Sequence, residues 1–394
     1  MRNLIIMMAV MLGVALLPGC GRRPSPEREA MAVAESLMDS LPDSALIIMQ
    51  GVALPADAPD EDRALRALLL SQALDKNRID VTDDSLIALA DSYYRRASDP
   101  RRRMLAAFYH GRIRFNASDY PRALQLFSES LDLAAALPDT FWMARSASEK
   151  AAIYRVNSRF KDERYYAGLA YKWHKSIKKQ PQWNYAILDL GVAYLNTEDY
   201  EQAFKLTQPL LNSAKIYHNA ELEEYASITI AKALFCTHRF TEVINLLENL
   251  NNVSDYISDR ICILGKSYIH TQNLHKADSI AASIDIASSH DPVILSFAAE
   301  LSKASENLPE TLNFTERLLY ANDSLHFHAL EQNFAQGNNE YHQHLIELNN
   351  LKRAKSRQQL VWILVTGFII IFAASAVFYQ KYINQRNTVA GCNQ

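Results

Sequence analysis

The stretch LGVAYLNTEDYEQAF, residues 190–204, has the spacing of two packed helices joined by a tight turn. Gly191 is small enough to let a neighbouring helix approach closely. Tyr200 follows nine residues later, where a second helix would begin, and Ala203 gives that helix a small face for packing against the first. The stretch therefore predicts an antiparallel helical hairpin.

The same pattern of small and bulky residues returns along the chain. Gly111 is followed at the same distance by Tyr120. Gly265 is followed in the same way by Leu274, and weaker copies lie between and beyond these. The small residues of the six copies are Gly111, Ala151, Gly191, Ala231, Gly265 and Ala299, with spacings of 40, 40, 40, 34 and 34.

This spacing is typical of the tetratricopeptide repeat (TPR), a stacked helical hairpin. One hairpin cannot bury its apolar face, so neighbouring hairpins stack. One further helix pair is predicted within residues 34–49, and residues 63–76 and 83–96 are predicted to form another. Apolar residues make up 49% of the chain and charged residues 22%, as in an ordinary folded protein. We predict an all-α, TPR-type superhelix (solenoid) over residues 30–322.

Residues 1–19 have the features of a secretory signal peptide. A charged start precedes an apolar stretch, residues 4–17, which as a helix covers only about 21 Å and is too short to cross a bilayer. The tetrapeptide LPGC, residues 17–20, resembles a bacterial lipobox, so Cys20 is the predicted lipidation site and residues 20–29 its tether. A simple cut, or an uncleaved anchor with an incidental cysteine, is the alternative.

A second apolar run lies near the other end of the chain. Its 20 uncharged residues, 360–379, are long enough as a helix to cross a bilayer, although a buried core helix is the alternative. We predict a transmembrane helix over residues 360–380, a juxtamembrane helix over 323–359 before it, and a short cytoplasmic tail, 381–394, after it. Two copies of the juxtamembrane helix can pair into a homodimer as a coiled coil, but a single exposed helix fits equally well.

The two ends together predict where the bulk of the chain lies. An exported first segment and a stop-transfer span place the bulk in the periplasm, attached to the cell membrane, with the tail in the cytoplasm. Four basic residues precede the span and two follow it: Lys352, Arg353, Lys355 and Arg357, then Lys381 and Arg386. That bias favours the opposite orientation. We give the exported segment more weight because it usually decides topology.

Four stretches occur in order along the chain: LPDSALIIM (41–49), LLLSQALDKN (68–77), YHGRIRFNASDYPRALQLF (109–127) and ANDSL (321–325). Together they resemble the membrane-bound TPR proteins of Bacteroidetes, many of which are regulators. The resemblance implies a sensor plan: an exported TPR domain, one membrane span and a cytoplasmic coiled coil, often with a DNA-binding helix-turn-helix. Only 14 residues follow Gln380, so we expect no output domain and do not carry over DNA binding.

The sequence contains no recognisable catalytic motif: no H-E-x-x-H, phosphate loop, G-x-S-x-G or Cys-x-x-Cys. We therefore expect no enzyme activity, no cofactor and no metal site. The net charge of −3 leaves no basic surface signature for nucleic acid. Cys236 and Cys262 fall too far apart on neighbouring predicted helices for a disulfide, so we expect two buried free thiols.

In TPR proteins generally, fixed positions of the first helix in each repeat face the concave surface. The resemblance implies that these positions are Arg112, Phe115, Asn116, Arg145, Arg155, Tyr185, Asn196, Tyr225, Lys232 and Lys266. Five of them are basic, and the only acid recognised among the inner positions is Asp259. The hypothesis is a groove for an extended acidic peptide or a C-terminal carboxylate. Ordinary solvated groove positions are the alternative.

A separate basic run, RRASDPRRR (95–103), has five arginines in nine residues. It is read as a solvated turn, or else as a site for an acidic partner or lipid headgroups. Taken together, we expect a non-enzymatic, membrane-anchored TPR protein that binds a protein or peptide partner in the periplasm as the sensing part of a regulatory system. The alternative is a structural adaptor or assembly lipoprotein of the cell envelope that does not signal.

Overall fold

The computed structural model describes residues 25–177, 182–248, 250 and 257–322. Within these ranges there are sixteen helices and no strand, so the predicted all-α class is confirmed. The helices are α1 (Pro26–Leu37), α2 (Pro42–Gly51), α3 (Asp60–Lys76), α4 (Ser85–Tyr94), α5 (Pro100–Asn116), α6 (Tyr120–Ala136), α7 (Thr140–Val156), α8 (Phe160–Ile177), α9 (Gln182–Asn196), α10 (Tyr200–Ile216), α11 (Ala220–Cys236), α12 (Phe240–Leu247), α13 (Ile257–His270), α14 (Leu274–Ala281), α15 (Pro292–Ala304) and α16 (308–322). They stack as consecutive antiparallel pairs.

The 40-residue spacing arises from long helices and short turns. Helices α5, α6 and α7 each contain 17 residues. In the turns that follow α5 and α7, Ser118 and Ser158 adopt φ of 59° and 55°, the left-handed conformation that ends a helix. Asp119 then caps α6 by accepting a hydrogen bond from the N–H of Arg122. The spacing falls to 34 where the second helix shortens, because α12 and α14 contain only 8 residues each.

The small residues of the motif lie where helices cross closely. A Cβ added to Gly111 would lie 2.8 Å from the Phe127 ring, and one on Gly191 would lie 2.7 Å from Thr207 Oγ1. Both neighbours belong to the second helix of the same pair, as the sequence predicts. The glycines are therefore required by packing, and a larger side chain would force the two helices apart.

The first helix starts earlier than the sequence predicts. The expected tether runs to residue 29, but residues 26–29 already belong to α1. Ser25 accepts a hydrogen bond from the N–H of Arg28, and Pro26 occupies the first helical position, where a missing N–H costs nothing. In the sequence Pro26 is compatible with a flexible segment, whereas in the structure it begins a helix.

An aromatic cluster fixes three helices beneath the inner surface. The Phe108 ring of α5 packs edge-on against Phe127 of α6 and Trp142 of α7, with centroids 5.5 and 5.0 Å apart. Tyr109 meets the same Trp142 at 6.0 Å. All four rings are buried, so their edge-to-face contacts hold α5 and α7 in a fixed register.

The two described cysteines are free thiols, as expected. Only Cys262 is buried, and this burial raises the pKa of its thiol to about 12. The expectation that Cys236 is also buried is wrong. Cys236 is the last residue of α11 and is exposed at the turn that follows.

Several predicted segments lie outside the described residues. They are the signal peptide (1–19), the lipidation site Cys20, the juxtamembrane helix (323–359), the transmembrane helix (360–380) and the tail (381–394). Among the helices that the structure does describe, none combines the length and the apolar character needed to cross a membrane.

Candidate ligand-binding groove

The ten predicted groove residues all lie on first helices of consecutive pairs. Helix α5 carries Arg112, Phe115 and Asn116; α7 carries Arg145 and Arg155; α9 carries Tyr185 and Asn196; α11 carries Tyr225 and Lys232; α13 carries Lys266. Tyr185 is exposed and the other nine are half-buried. The helices thus bring these residues to one series of neighbouring faces.

Arg112 links three successive first helices. Its Nε donates to Asp75 Oδ1 of α3 at 2.8 Å, and its Nη1 donates to Glu149 Oε2 of α7 at 2.9 Å. The charge of Glu149, with that of Asp75 added, raises the pKa of Arg112 despite its burial. Two charge-assisted hydrogen bonds therefore hold this guanidinium charged and in one orientation.

Arg155 is bound in a similar way further along the array. Burial lowers its pKa, but the charges of Asp189 and Glu163 outweigh this and raise the pKa overall. Arg155 Nε donates to Glu163 Oε1 at 2.6 Å and Nη2 donates to Asp189 Oδ1 at 3.0 Å. Asn196 completes the cluster, because its Nδ2 donates to Glu163 Oε2 at 2.9 Å.

The two lysines of the predicted set also meet acids on the following first helix. Lys232 Nζ lies 3.1 Å from Asp259 Oδ1. Lys266 Nζ donates to Ser296 Oγ at 2.7 Å and lies 3.8 Å from Glu300 Oε2. In both cases a carboxylate on the following first helix compensates the charge of the lysine.

Three of the uncharged residues of the set also have partners within the chain. The Tyr185 hydroxyl donates to Glu221 Oε1 at 3.4 Å. Asn116 Nδ2 donates to the Val81 carbonyl at 3.3 Å. Phe115 packs against Tyr120, with ring centroids 5.4 Å apart.

These contacts correct the expected charge of the surface. The sequence-based view recognised one acid, Asp259, but the basic residues of the set contact five more: Asp75, Glu149, Glu163, Asp189 and Glu300. With Asp259, six carboxylates contact the five cations of the set, so the surface is charge-balanced. Spacing within one repeat could not reveal this, because most of the bonds join residues about one repeat apart.

Arg145 differs from the other cations of the set. Its nearest carboxylate oxygen, Glu149 Oε1, lies 3.7 Å away, beyond hydrogen-bond distance. Its guanidinium stands over the buried Phe108 ring, 5.2 Å from the centroid. The aromatic ring holds the group in place by a cation–π contact and leaves most of its N–H donors for other partners.

A cavity of about 540 Å³ opens between α3, α5 and α7. Of the predicted set, it brings together Arg112 and Arg145. Sequence reasoning missed the rest of its lining, which includes Asp39, Asp75, Tyr109, Phe141, Trp142 and Glu149. Tyr109 and Trp142 lie outside the positions that the repeat pattern assigns to the inner surface, so no sequence signal marked them.

The turn between α1 and α2 closes one side of this cavity. Met38, Asp39 and Pro42 belong to the lining although they precede α7 by about a hundred residues. Asp39 Oδ1 accepts a hydrogen bond from Lys76 Nζ at 2.6 Å, which ties the turn to the end of α3.

The arginines of the basic run are largely compensated within the chain. Asp99 caps α5, and the run divides between the end of α4 and the start of α5. The ion pairs are Arg95 with Asp91 and Glu129, Arg101 with Asp139, Arg102 with Asp99 and Glu35, and Arg103 with Glu129. This arrangement gives no support to an acidic partner at this turn.

No group of three or more histidine, cysteine or carboxylate side chains within the described ranges is arranged to hold a metal ion. The groove and its cavity instead offer fixed charges, amides and aromatic rings. Such a surface suits non-covalent recognition of a polar, partly apolar ligand.

No family model matches the sequence, and no curated protein matches it either. Several solved structures share the fold. Rap protein complexed with competence and sporulation factor is 12% identical with a TM-score of 0.55, covering 77% of this chain and 99% of that chain. NprR in complex with its cognate peptide NprX is 15% identical with a TM-score of 0.55, covering 84% of this chain and 100% of that one. The apo form of the quorum sensor NprR from B. thuringiensis is 13% identical with a TM-score of 0.55, covering 79% and 97%.

At these identities the likeness concerns the fold alone. It confirms the predicted class for the part of the chain that is described: a TPR-like helical superhelix.

Proposed function

We propose that this chain is a non-enzymatic TPR protein that binds a protein or peptide partner along the inner faces of its first helices. The observation that carries the proposal is the cavity between α3, α5 and α7 together with the ordered charges beside it. Arg112 and Arg155 are each held by two carboxylates, so the surface is ordered before any ligand arrives. Pre-organisation of this kind lowers the entropy cost of binding.

The similar structures support this proposal. NprR was solved in complex with its cognate peptide NprX, and Rap protein was solved with competence and sporulation factor. The same type of superhelix therefore accommodates a peptide in another protein. A uniformly acidic peptide would be attracted by the cations of the groove and repelled by its carboxylates. The charge balance of the groove therefore does not favour a uniformly acidic peptide.

We further propose that binding occurs in the periplasm and that the chain is the sensing part of a membrane-anchored system. The support is in the sequence: the signal peptide, Cys20 at the lipobox-like site and the apolar run 360–379. A regulator of this type would pass its bound state through the span to a partner.

Site-specific photo-cross-linking in the native host tests the binding proposal. A photoreactive phenylalanine analogue at Tyr185, on the groove, is compared with the same analogue at Tyr217, which is 79% exposed and follows α10. We expect one discrete partner to be captured at Tyr185 and not at Tyr217. Equal capture at both positions, or none at Tyr185, would contradict a groove-borne partner.

A deletion distinguishes sensing from a purely structural adaptor. If the chain signals, removing residues 381–394 abolishes a cytoplasmic contact and leaves capture at Tyr185 intact. If the chain is an adaptor that does not signal, the shortened chain and the full chain should have the same cross-linked partners on both sides of the membrane.

An alkaline phosphatase fusion after α16 tests the compartment, because the phosphatase is active only if it is exported.

A further inference from the structure

We propose that the cavity between α3, α5 and α7 binds the C-terminal end of a peptide, with the terminal carboxylate at Arg145 and an apolar last side chain against Phe141 and Trp142. This inference rests on the proposed function and adds the chemistry of the ligand. The described residues support it in three ways: the state of the charges, the aromatic wall and the size of the space.

The cations that line the cavity differ in how far they are already engaged within the chain. Arg112 is bonded to two carboxylates at 2.8 and 2.9 Å, and Lys76 is bonded to Asp39 at 2.6 Å. Arg78 lies 3.5 Å from Glu221, and its side chain is 80% exposed to solvent, which weakens any contact it makes. Only Arg145 combines partial burial with a nearest carboxylate beyond hydrogen-bond distance.

Arg145 also makes no hydrogen bond to another described residue. Glu149 is its one carboxylate neighbour, and the other oxygen of Glu149 is already bonded to Arg112. The side chain of Arg145 is 29% exposed, so a bound anion would be partly shielded from water. A planar guanidinium in this state is suited to a bidentate contact with a carboxylate.

The charges of the cavity argue against the opposite end of a peptide. An N-terminal ammonium would add a cation to a lining in which cations already outnumber carboxylates. The cations are Lys76, Arg78, Arg112 and Arg145, and the carboxylates are Asp39, Asp75 and Glu149. The excess charge of the lining is positive, so the complementary ligand group is negative.

The wall of the cavity beside Arg145 is aromatic. Phe141 and Trp142 both line the cavity, and their rings meet edge-on at 5.5 Å. Trp142 is held from behind by Phe108 and Tyr109, while Phe141 is partly exposed. A rigid aromatic surface next to a cation accommodates an apolar side chain adjoining a carboxylate, the arrangement found at the last residue of a peptide.

The volume of the cavity suits the end of a peptide. A cavity of about 540 Å³ lies within the range of small-ligand sites, roughly 300–1,000 Å³, and is too small for a folded element. It accepts one or two residues of a chain. The preceding residues of the peptide would lie along α9, which carries Tyr185 and Asn196.

The probe is a library of N-acetylated hexapeptides randomised at the last three positions. It is prepared once as free acids and once as C-terminal amides. Each form is incubated with the full chain in detergent, and retained peptides are identified by mass spectrometry. We expect retention of free acids that end in an apolar residue, and binding about 10–100-fold weaker for the matching amides, since one charge-assisted contact is lost.

Variants assign the effect to the cavity. Arg145→Gln should reduce binding of the free acids by about 10–100-fold and remove their advantage over the amides, while Arg145→Lys retains part of it. Arg122→Gln, an exposed arginine on α6, is the matched control and should bind as the parent does. Phe141→Ala should broaden the preference at the last position. The amide comparison needs no variant, so it stays decisive even if Arg145→Gln is unstable.

The outcomes separate this inference from the proposed function. Equal binding of acids and amides would overturn the carboxylate assignment and leave peptide binding standing. Capture of a folded partner at Tyr185 with no hexapeptide retained would also overturn it, again without touching the proposed function. Failure of both the library and the cross-link would remove both.

Discussion

Arg155 and Glu163 meet across the turn between α7 and α8, with Arg155 Nε 2.6 Å from Glu163 Oε1. Glu163 is completely buried. The second oxygen of Glu163 accepts the Asn196 amide at 2.9 Å, so the pair fastens α9 to the α7–α8 hairpin. A buried carboxylate with both oxygens occupied is a strong local constraint on how three helices stack.

Removing this carboxylate should destabilise the array severely. Glu163→Ala leaves Arg155 and Asn196 without a shared acceptor, and we expect a loss of about 3–5 kcal/mol in the free energy of unfolding. Urea denaturation followed by circular dichroism measures it. Glu201→Ala is the control, because Glu201 and Lys205 form an exposed pair on α10 and should contribute under about 1 kcal/mol. Equal losses in the two variants would show that the Arg155–Glu163 contact is not a constraint.

Glycine substitutions should have opposite effects at two positions. A Cβ on Gly265 would overlap the ring of Phe297 on α15, so Gly265→Ala should destabilise the chain by about 1–3 kcal/mol. Gly168 lies inside α8 with nothing within 4 Å of its added Cβ, so Gly168→Ala should stabilise it by about 1 kcal/mol. Thermal unfolding of the two variants distinguishes them. A neutral Gly265→Ala would mean that the α13–α15 crossing is looser than described.

Stability should fall below neutral pH through His174. Burial, with the nearby charge of Arg145, lowers the pKa of His174 from 6.5 to about 4. Between these values the unfolded chain binds more protons than the folded chain, so folding weakens as pH falls. From pH 7.5 to 5 this one group should remove about 2 kcal/mol.

His174→Leu provides the comparison for that prediction. Carboxylates titrate in both chains, so the difference between the two pH profiles isolates the histidine. Urea midpoints of parent and variant at pH 7.5, 6 and 5 should converge or cross as the pH falls. Parallel profiles would contradict the assignment.

The two described cysteines should differ in reactivity. Cys236 is exposed, whereas Cys262 is buried with a pKa raised to about 12 by that burial. In a Cys20→Ser, Cys392→Ser background, iodoacetamide at pH 8 should label Cys236 at least about 100-fold faster than Cys262. Denaturant should equalise the two rates. Rapid labelling of Cys262 in the native chain would indicate that α13 opens readily.

The repeat pattern predicted the helical pairs because its signals are local. Small residues at Gly111 and Gly191 are needed where two adjacent helices touch, and their partners Phe127 and Thr207 lie within the same hairpin. The caps and turns act over three or four residues. The start of α1 was placed too late because Pro26 fits either an extended segment or a first helical position.

The candidate site was predicted only in part. Of the ten residues that the sequence assigns to the groove, two, Arg112 and Arg145, line the cavity. Their electrostatic state was not predicted. Asp75 and Glu149 lie 37 residues to either side of Arg112, so whether they meet it depends on how each helix is rotated in the stack.

By itself the sequence determined the fold class, the pairing of neighbouring helices and the set of residues carried on their first helices. The reason is that the contacts within a repeated hairpin join residues at short, regular intervals along the chain. Only the tertiary structure decided that the groove is charge-balanced and that the α1–α2 turn lies beside Phe141 and Trp142. It also decided that, among the half-buried cations lining the cavity, Arg145 alone has no hydrogen-bonded carboxylate. Those contacts join residues from one repeat to about a hundred positions apart. They arise from the accumulated rotation of stacked helices, which leaves no periodic trace in the chain.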